Sequence, residues 1–255
     1  VSDGFYLPSP KLHYKLLKLH YTRLKLHYKL PKLHYKMKTP AIVVNFKTYK
    51  ESTGKAALNL AKICEAVAKA TNTEIVACPQ LADCQKIKES VSIPVFAQCV
   101  DAIEPGSHTG WVLLESLKEI GLDGSLVNHS EHRIDRASID IAIKKLKAAG
   151  MTSIVCTKDI AETGDYALMS PDFLAIEPPE LIGSGISVST SKPEVVSGAV
   201  RAAKNGVPVL CGAGVSKGID IQKALELGAK GVLLASGVVK AQDPKAVLME
   251  MAKSL

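Results

Sequence analysis

From Thr39 onward, short β-branched apolar runs alternate with longer segments in which apolar residues recur every three or four positions. Runs of the first kind fit strands buried on both faces, as in a parallel sheet, and segments of the second kind fit helices covering that sheet. The runs predict eight strands, over Ala41–Phe46, Glu74–Cys78, Val95–Gln98, Gly124–Asn128, Ser153–Thr157, Phe173–Glu177, Val207–Gly212 and Gly231–Ala235. Between them the periodicity predicts helices over Lys55–Ala70, Leu114–Ile120, Ala137–Ala149, Pro193–Lys204, Ile219–Leu227 and Pro244–Ala252. Gly121, Gly150, Gly206 and Gly228 stand where helices are expected to stop.

Eight strand–helix units within residues 37–255 suit one closed α/β domain, a (β/α)8 barrel, whose usual length is roughly 200–250 residues. An open doubly wound sheet usually has fewer strands and carries a dinucleotide loop after its first one, and no Gly-x-Gly-x-x-Gly follows the first run here. In a barrel, reactive groups gather at the C-terminal ends of the strands. The residues that end each apolar run are therefore the candidates for chemistry.

The first run ends in Asn45-Phe46-Lys47. Alternation along a strand points Asn45 and Lys47 the same way, into the barrel mouth, where a lone cation is costly unless an anion arrives. The fourth run ends in Asn128-His129-Ser130-Glu131. This places the His129 imidazole where a helix is expected to begin and where backbone N–H groups favour the neutral ring. The sixth run ends in Glu177, followed by Pro178, Pro179 and, further on, Gly183 and Gly185. A carboxylate at the tip of a buried strand is a candidate base, and a loop stiff at one end and pliant at the other is a candidate lid. Glu180, His108 and His132 lack such positions and read as loop residues. Cys211-Gly212-Ala213-Gly214 and Leu234-Ala235-Ser236-Gly237 end the last two runs. In barrels these two loops commonly bind phosphate through backbone N–H groups.

Charge changes the picture only at the front. Residues 1–36 hold seven lysines and Arg23 against Asp3, which accounts for the whole net charge of +7, so the remainder is balanced and no basic face is required of it. Nucleic acid and membrane are accordingly not expected as partners of the barrel. Six cysteines are scattered without metal spacing or a staple pattern, and no run of about 18 apolar residues or export signal occurs. They read as reduced thiols of a soluble cytoplasmic protein, with no metal site.

Within the basic segment, Lys-Leu-His-Tyr recurs at Lys11, Lys18, Lys25 and Lys32, a spacing of seven. The period is compatible with an amphipathic or coiled-coil helix, and Lys with His and Tyr with phosphate contact and base stacking. Pro31 and the near-identity of the copies argue against selection for packing. Residues 1–36 are therefore read as a disordered leader outside the fold, whether tag, read-through or mis-set start, with Met37 opening the barrel.

Taken in order, Asn45-Phe46-Lys47, His129-Ser130-Glu131, Glu177-Pro178 through Ile182-Gly183-Ser184-Gly185 and the two glycine loops resemble the triosephosphate isomerase family from about Met37 to Leu255. The compact length and the Glu-Pro-Pro-Glu-Leu-Ile-Gly segment are similar to its archaeal branch. The resemblance implies a cofactor-free isomerase of dihydroxyacetone phosphate and D-glyceraldehyde 3-phosphate, assembled as a homodimer or homotetramer. It further implies Glu177 as base, His129 as neutral electrophile and Lys47 as electrostatic anchor with Asn45 beside it. Ile182, Gly183, Gly214, Ala235 and Ser236 would contact phosphate, and Glu131 would support the lysine.

Three residues depart from that pattern. Ser184 stands where the family usually has Thr, Trp111 where its subunit-contact loop is usually polar, and Cys99 where archaeal members often carry His. The rival readings are another phosphate-binding barrel enzyme, such as an aldolase or a biosynthetic isomerase, and a catalytically damaged barrel scaffold carrying a basic binding segment. A Schiff-base aldolase would put lysine, not Glu177, at such a strand tip.

Overall fold

The computed structural model describes residues 35–183 and 185–255. The expected leader up to residue 34 and the Ser184 hydroxyl lie outside the described residues. Among the described residues eight strands form one parallel sheet: β1 (Ala41–Asn45), β2 (Glu74–Cys78), β3 (Phe96–Ala97), β4 (Gly124–Val127), β5 (Thr152–Thr157), β6 (Phe173–Ile176), β7 (Val209–Cys211) and β8 (Gly231–Leu234). Their order is β2-β1-β8-β7-β6-β5-β4-β3. A parallel bridge between Ala77 and Val95, with the Ala77 amide donating to the Pro94 carbonyl at 3.0 Å, joins the two outer strands. The sheet thus closes into a barrel, as its eight apolar runs predict.

Alternation explains both cores. Ala41, Val43, Val76, Cys78, Phe96, Leu126, Ile154, Cys156, Ala175, Leu210 and Leu233 pack together inside the barrel. Their neighbours Ile42, Val44, Ile75, Ala77, Val127, Val155, Leu174, Ile176, Val209 and Val232 face outward into a second cluster shared with the helices. Both faces of every strand are apolar, which is why the runs read as continuous rather than alternating. The helices contribute their apolar stripes to the outer cluster, for example Ala57, Leu60, Ala61, Cys64 and Val67 from Lys55–Thr71. Burying each large apolar side chain contributes roughly 1.5–3 kcal/mol, so these two clusters supply most of the drive to fold.

Six helices occur where the periodicity predicts them, with ends shifted by no more than about two residues. Four further α-helical segments were not legible: Leu81–Lys88, Ile160–Ala167, Val188–Ser191 and Ser236–Val239. Two are single turns, Ile160–Ala167 contains a helix-weakening Gly164, and the first is started by an exposed Leu81. Aspartates fix several starts by accepting backbone N–H groups, Asp135 from Ser138, Asp159 from Glu162 and Asp243 from Ala246.

The floor of the barrel, opposite the C-terminal ends of its strands, is closed by Tyr35. Its ring packs edge-on against Phe96 with centroids 6.1 Å apart, its hydroxyl donates to Glu74, and its carbonyl accepts from Thr152 Oγ1 at 2.6 Å. Tyr35 also packs against the inner apolar cluster. Trimming the chain to begin at Met37 removes this contact. It is expected to lower the melting temperature by about 2–6 °C, the size of one aromatic pair in a domain of this length, which a thermal melt of the two chains measures.

Candidate active site

At the opposite end, the same alternation that buries Val43 carries Asn45 inward, 4 % exposed. Asn45 Oδ1 then accepts the Lys47 amide at 3.0 Å, an Asx turn that fits Lys47 with a φ of 48°. Gln98 Nε2 donates to the carbonyls of Lys47 and Cys78 at 3.1 and 3.0 Å and braces the turn from the β3 end. The Lys47 side chain, 11 % exposed, meets Glu131 with Nζ 2.6 Å from Oε1. A partly buried ammonium thus has one carboxylate partner and an open side toward the barrel mouth.

His129 is placed by its neighbour. Asn128 adopts a φ of 62°, its Nδ2 donates to the Cys156 carbonyl at 3.0 Å and its Oδ1 accepts the Ile134 amide at 3.1 Å. This break in the strand turns the following imidazole, 6 % exposed, into the mouth. The helix expected directly after His129 begins only at Arg136; a tight turn in which the His132 amide donates to the His129 carbonyl at 2.8 Å intervenes. The Glu131 amide donates to His129 Nδ1 at 3.2 Å, so Nδ1 is the acceptor and the neutral ring carries its proton on Nε2.

That Nε2 lies 3.7 Å from Glu177 Oε2. Glu177 is 6 % exposed, and its Oε2 is buried without a hydrogen-bond partner. A carboxylate oxygen so placed normally costs free energy and calls for a partner that arrives from elsewhere. Behind the carboxylate lies Gly212, at the end of β7. A Cβ added there would come within 2.3 Å of Glu177 Cγ and 3.0 Å of Cδ and Oε1. On the far side the Cys156 thiol adjoins Glu177; burial first, and then the Glu177 charge, push that thiol well above its ordinary range.

Asn45, Lys47, His129, Glu177, Ile182, Gly183, Gly214, Ala235 and Ser236 all line one cavity of about 150 Å³. Every expected site residue except Glu131 therefore borders a single space, and Glu131 touches it through Lys47. Sequence reasoning missed Tyr49, Val215 and Ser216, which line the same cavity, as does Gly237 of the expected phosphate loop. Tyr49 carried no signal, being four residues beyond the first strand; in the fold its ring lies under Lys240 Nζ, 4.2 Å from the centroid. The end of the cavity formed by the loops after β7 and β8 is lined by the small residues Ala213, Gly214, Ser216, Ala235, Ser236 and Gly237 together with Val215. Among the described residues, no three His, Cys, Asp or Glu are grouped to hold a metal ion, and no helix is long and apolar enough to cross a membrane.

The sequence compares with known proteins as the geometry leads one to expect. A family model described as triosephosphate isomerase matches residues 40–254. The chain belongs to the triosephosphate isomerase family. Relatives named triosephosphate isomerase include that of Methanothermus fervidus, 55 % identical over 218 residues, covering 84 % of this chain and 98 % of the relative. That of Methanocaldococcus jannaschii is 52 % identical over 215 residues, covering 83 % and 98 %. That of Methanosarcina barkeri is 50 % identical over 218 residues, with 84 % and 98 % covered.

This triosephosphate isomerase family barrel buries five of its six thiols, with Cys99 half-buried. Burial pushes Cys64, Cys84 and Cys211 up to about 12 and raises Cys78 and Cys156 well above the ordinary thiol range; Cys99, near Asp101, is raised too, again mainly by burial. All six are free of disulfides. Because the thiolate is the reactive form, a disulfide-exchange reagent at pH 8 is expected to label no thiol but Cys99 in the folded protein, and all six after unfolding in guanidinium. Rapid labelling of five or six without denaturant would contradict it.

Proposed function

We propose that this chain interconverts dihydroxyacetone phosphate and D-glyceraldehyde 3-phosphate through an enediolate. Glu177 takes a proton from the carbon that bears the hydroxyl, while His129 Nε2–H gives its proton to the neighbouring carbonyl oxygen. The imidazole then recovers a proton from the other oxygen, and Glu177 returns its own to the adjacent carbon, so no proton is gained or lost overall. Lys47 offsets the negative charge that develops on the two oxygens in a site shielded from water. The phosphate end is held by backbone N–H groups of Gly183, Gly214 and Ser236, with Ile182 and Ala235 shaping the pocket. This assignment of roles follows the family resemblance. What supports it here is the unpartnered Glu177 Oε2, 3.7 Å from His129 Nε2, with both side chains lining the same cavity at the barrel mouth.

The deciding test is a coupled assay in which conversion of D-glyceraldehyde 3-phosphate is followed with a reductase specific for dihydroxyacetone phosphate. Turnover by the purified chain, unaffected by a metal chelator, is the expected result. Borohydride treatment with a triose phosphate should leave no covalent adduct, which an aldolase would form on lysine.

Residues 1–36 stand outside this chemistry in our reading, and a chain beginning at Met37 should retain the full kcat. Assembly into a homodimer or homotetramer follows the family resemblance alone, and Trp111, 57 % exposed where the family's contact loop is usually polar, is the residue that would alter it. Sedimentation of the wild type against Trp111→Ser tests it. A cytoplasmic setting agrees with six unpaired thiols.

A further inference from the structure

We infer that Asp220 is a positioning residue: it holds the loop after β7 in its anion-binding shape and ties that loop to the chain that follows the lid. The inference rests on the isomerase reading for its kinetic part only.

Asp220 is the third residue of the helix Gly218–Glu226 and is 6 % exposed. An acidic residue at that position commonly accepts one amide, that of the residue just before the helix. Asp220 does more. Its Oδ2 accepts the amides of both Ser216 and Lys217, at 3.0 and 3.1 Å. Its Oδ1 accepts the Thr190 hydroxyl at 3.1 Å, and its backbone carbonyl accepts the Ser189 hydroxyl at 2.9 Å. One buried carboxylate therefore joins two segments about thirty residues apart in sequence, the loop 213–217 and the turn 187–191.

Both segments bear on the phosphate end of the cavity. Gly214, Val215 and Ser216 line it, whereas Asp220 does not, so any effect of Asp220 must pass through the loop. The loop needs holding. Ala213 and Gly214 have consecutive positive φ values of 68° and 71°, and an alanine there is strained unless its surroundings over-determine it. The restraints come from two sides. The Val188 amide donates to the Ala213 carbonyl at 3.3 Å, and Asp220 fixes the two amides that follow Val215. Contact between the segments is close enough that a Cβ on Gly214 would lie 1.9 Å from the Ile186 carbonyl oxygen. Without Asp220 the pair of left-handed residues would be free to relax, and the Gly214–Ser216 backbone would lose its aim at the anion. Thr190 adds the tie: its bond to Asp220 makes the end of the lid segment and the phosphate loop one unit.

Two pairs of variants test this, each with a conservative member that restores the bond. Asp220→Ala removes the carboxylate, and Asp220→Asn keeps an oxygen able to accept the Ser216 and Lys217 amides. Thr190→Val removes the hydroxyl, and Thr190→Ser restores it. The readouts are the calorimetric Kd for glycerol 3-phosphate, which does not react, the KM and kcat for D-glyceraldehyde 3-phosphate, and inorganic phosphate lost per turnover. Asp220→Ala is expected to raise Kd and KM about tenfold, the size of a lost charge-assisted bond, with kcat changed much less; Asp220→Asn should return most of it. Thr190→Val is expected to raise KM about threefold, as for one neutral hydrogen bond, and to increase phosphate loss, with Thr190→Ser at wild-type values. If Asp220→Ala does not fold, the Thr190 pair decides. A folded Asp220→Ala protein with wild-type Kd, or a Thr190→Val protein indistinguishable from Thr190→Ser, overturns the inference. A wild type that binds glycerol 3-phosphate and fails to isomerise would overturn the isomerase reading instead, and the Kd comparison would still judge Asp220.

Discussion

Replacing Glu177 with glutamine is expected to lower kcat by about 10²–10⁴-fold, the usual contribution of a general base, while glycerol 3-phosphate still binds. The amide is isosteric, and Glu177 makes no ion pair shorter than 3.7 Å that the change would break. The loss should therefore appear in turnover and not in folding. Lys47, Asn45 and the backbone loops after β7 and β8 remain in place to hold the ligand. Glu177→Asp should be intermediate, because it keeps the charge and withdraws the oxygen by one methylene. Near-normal turnover by Glu177→Gln would mean that the proton is removed by some other group.

Gly212→Ala should be nearly as damaging, although the residue bears no functional group. Its backbone is of a kind any residue adopts, so the methyl adds no strain to the main chain. The three nearest atoms all belong to Glu177, the closest being Cγ at 2.3 Å from the new carbon, and a real contact needs roughly an ångström more. The carboxylate must therefore swing away from its place opposite His129 Nε2. A misplacement of about 1 Å commonly costs on the order of 10²-fold in rate. Kinetics of Gly212→Ala should show kcat falling by that order and KM for D-glyceraldehyde 3-phosphate little changed, with a melting temperature close to that of the parent. An unchanged kcat would show that Glu177 keeps its place beside the added methyl.

The barrel and its reactive ends were legible because both are properties of strands. Buried runs such as Ala41–Asn45 and Phe173–Ile176 announce themselves by continuous apolar content, and a polar residue that interrupts one, Asn45 or Glu177, marks the rim. Direction was legible too, since Lys47 and Glu177 fall in phase with inward-facing Val43 and Ala175. The supporting residues were hidden, because what they do depends on contacts between distant segments. Gln98 brackets two carbonyls at the rim, Asn128 turns His129 inward through a positive φ, and Tyr49 reaches the cavity from beyond the first turn. Asp220 looked like an ordinary polar residue early in a helix, and nothing near it in the chain announced Ser189 or Thr190. Likewise Tyr35 reads as the last copy of a basic repeat, yet its ring closes the barrel floor.

Cys156 and Glu177 share a wall in which burial, and then the carboxylate beside it, keep the thiol from ionising. On the proposed mechanism the enediolate would bring negative charge into that same space, and a thiolate or a sulfinate behind the carboxylate would repel both. The closed barrel would then guard an electrical balance as well as an apolar interior, since keeping oxidants and hydroxide away from the Cys156 sulfur would be a condition for the proposed chemistry to run.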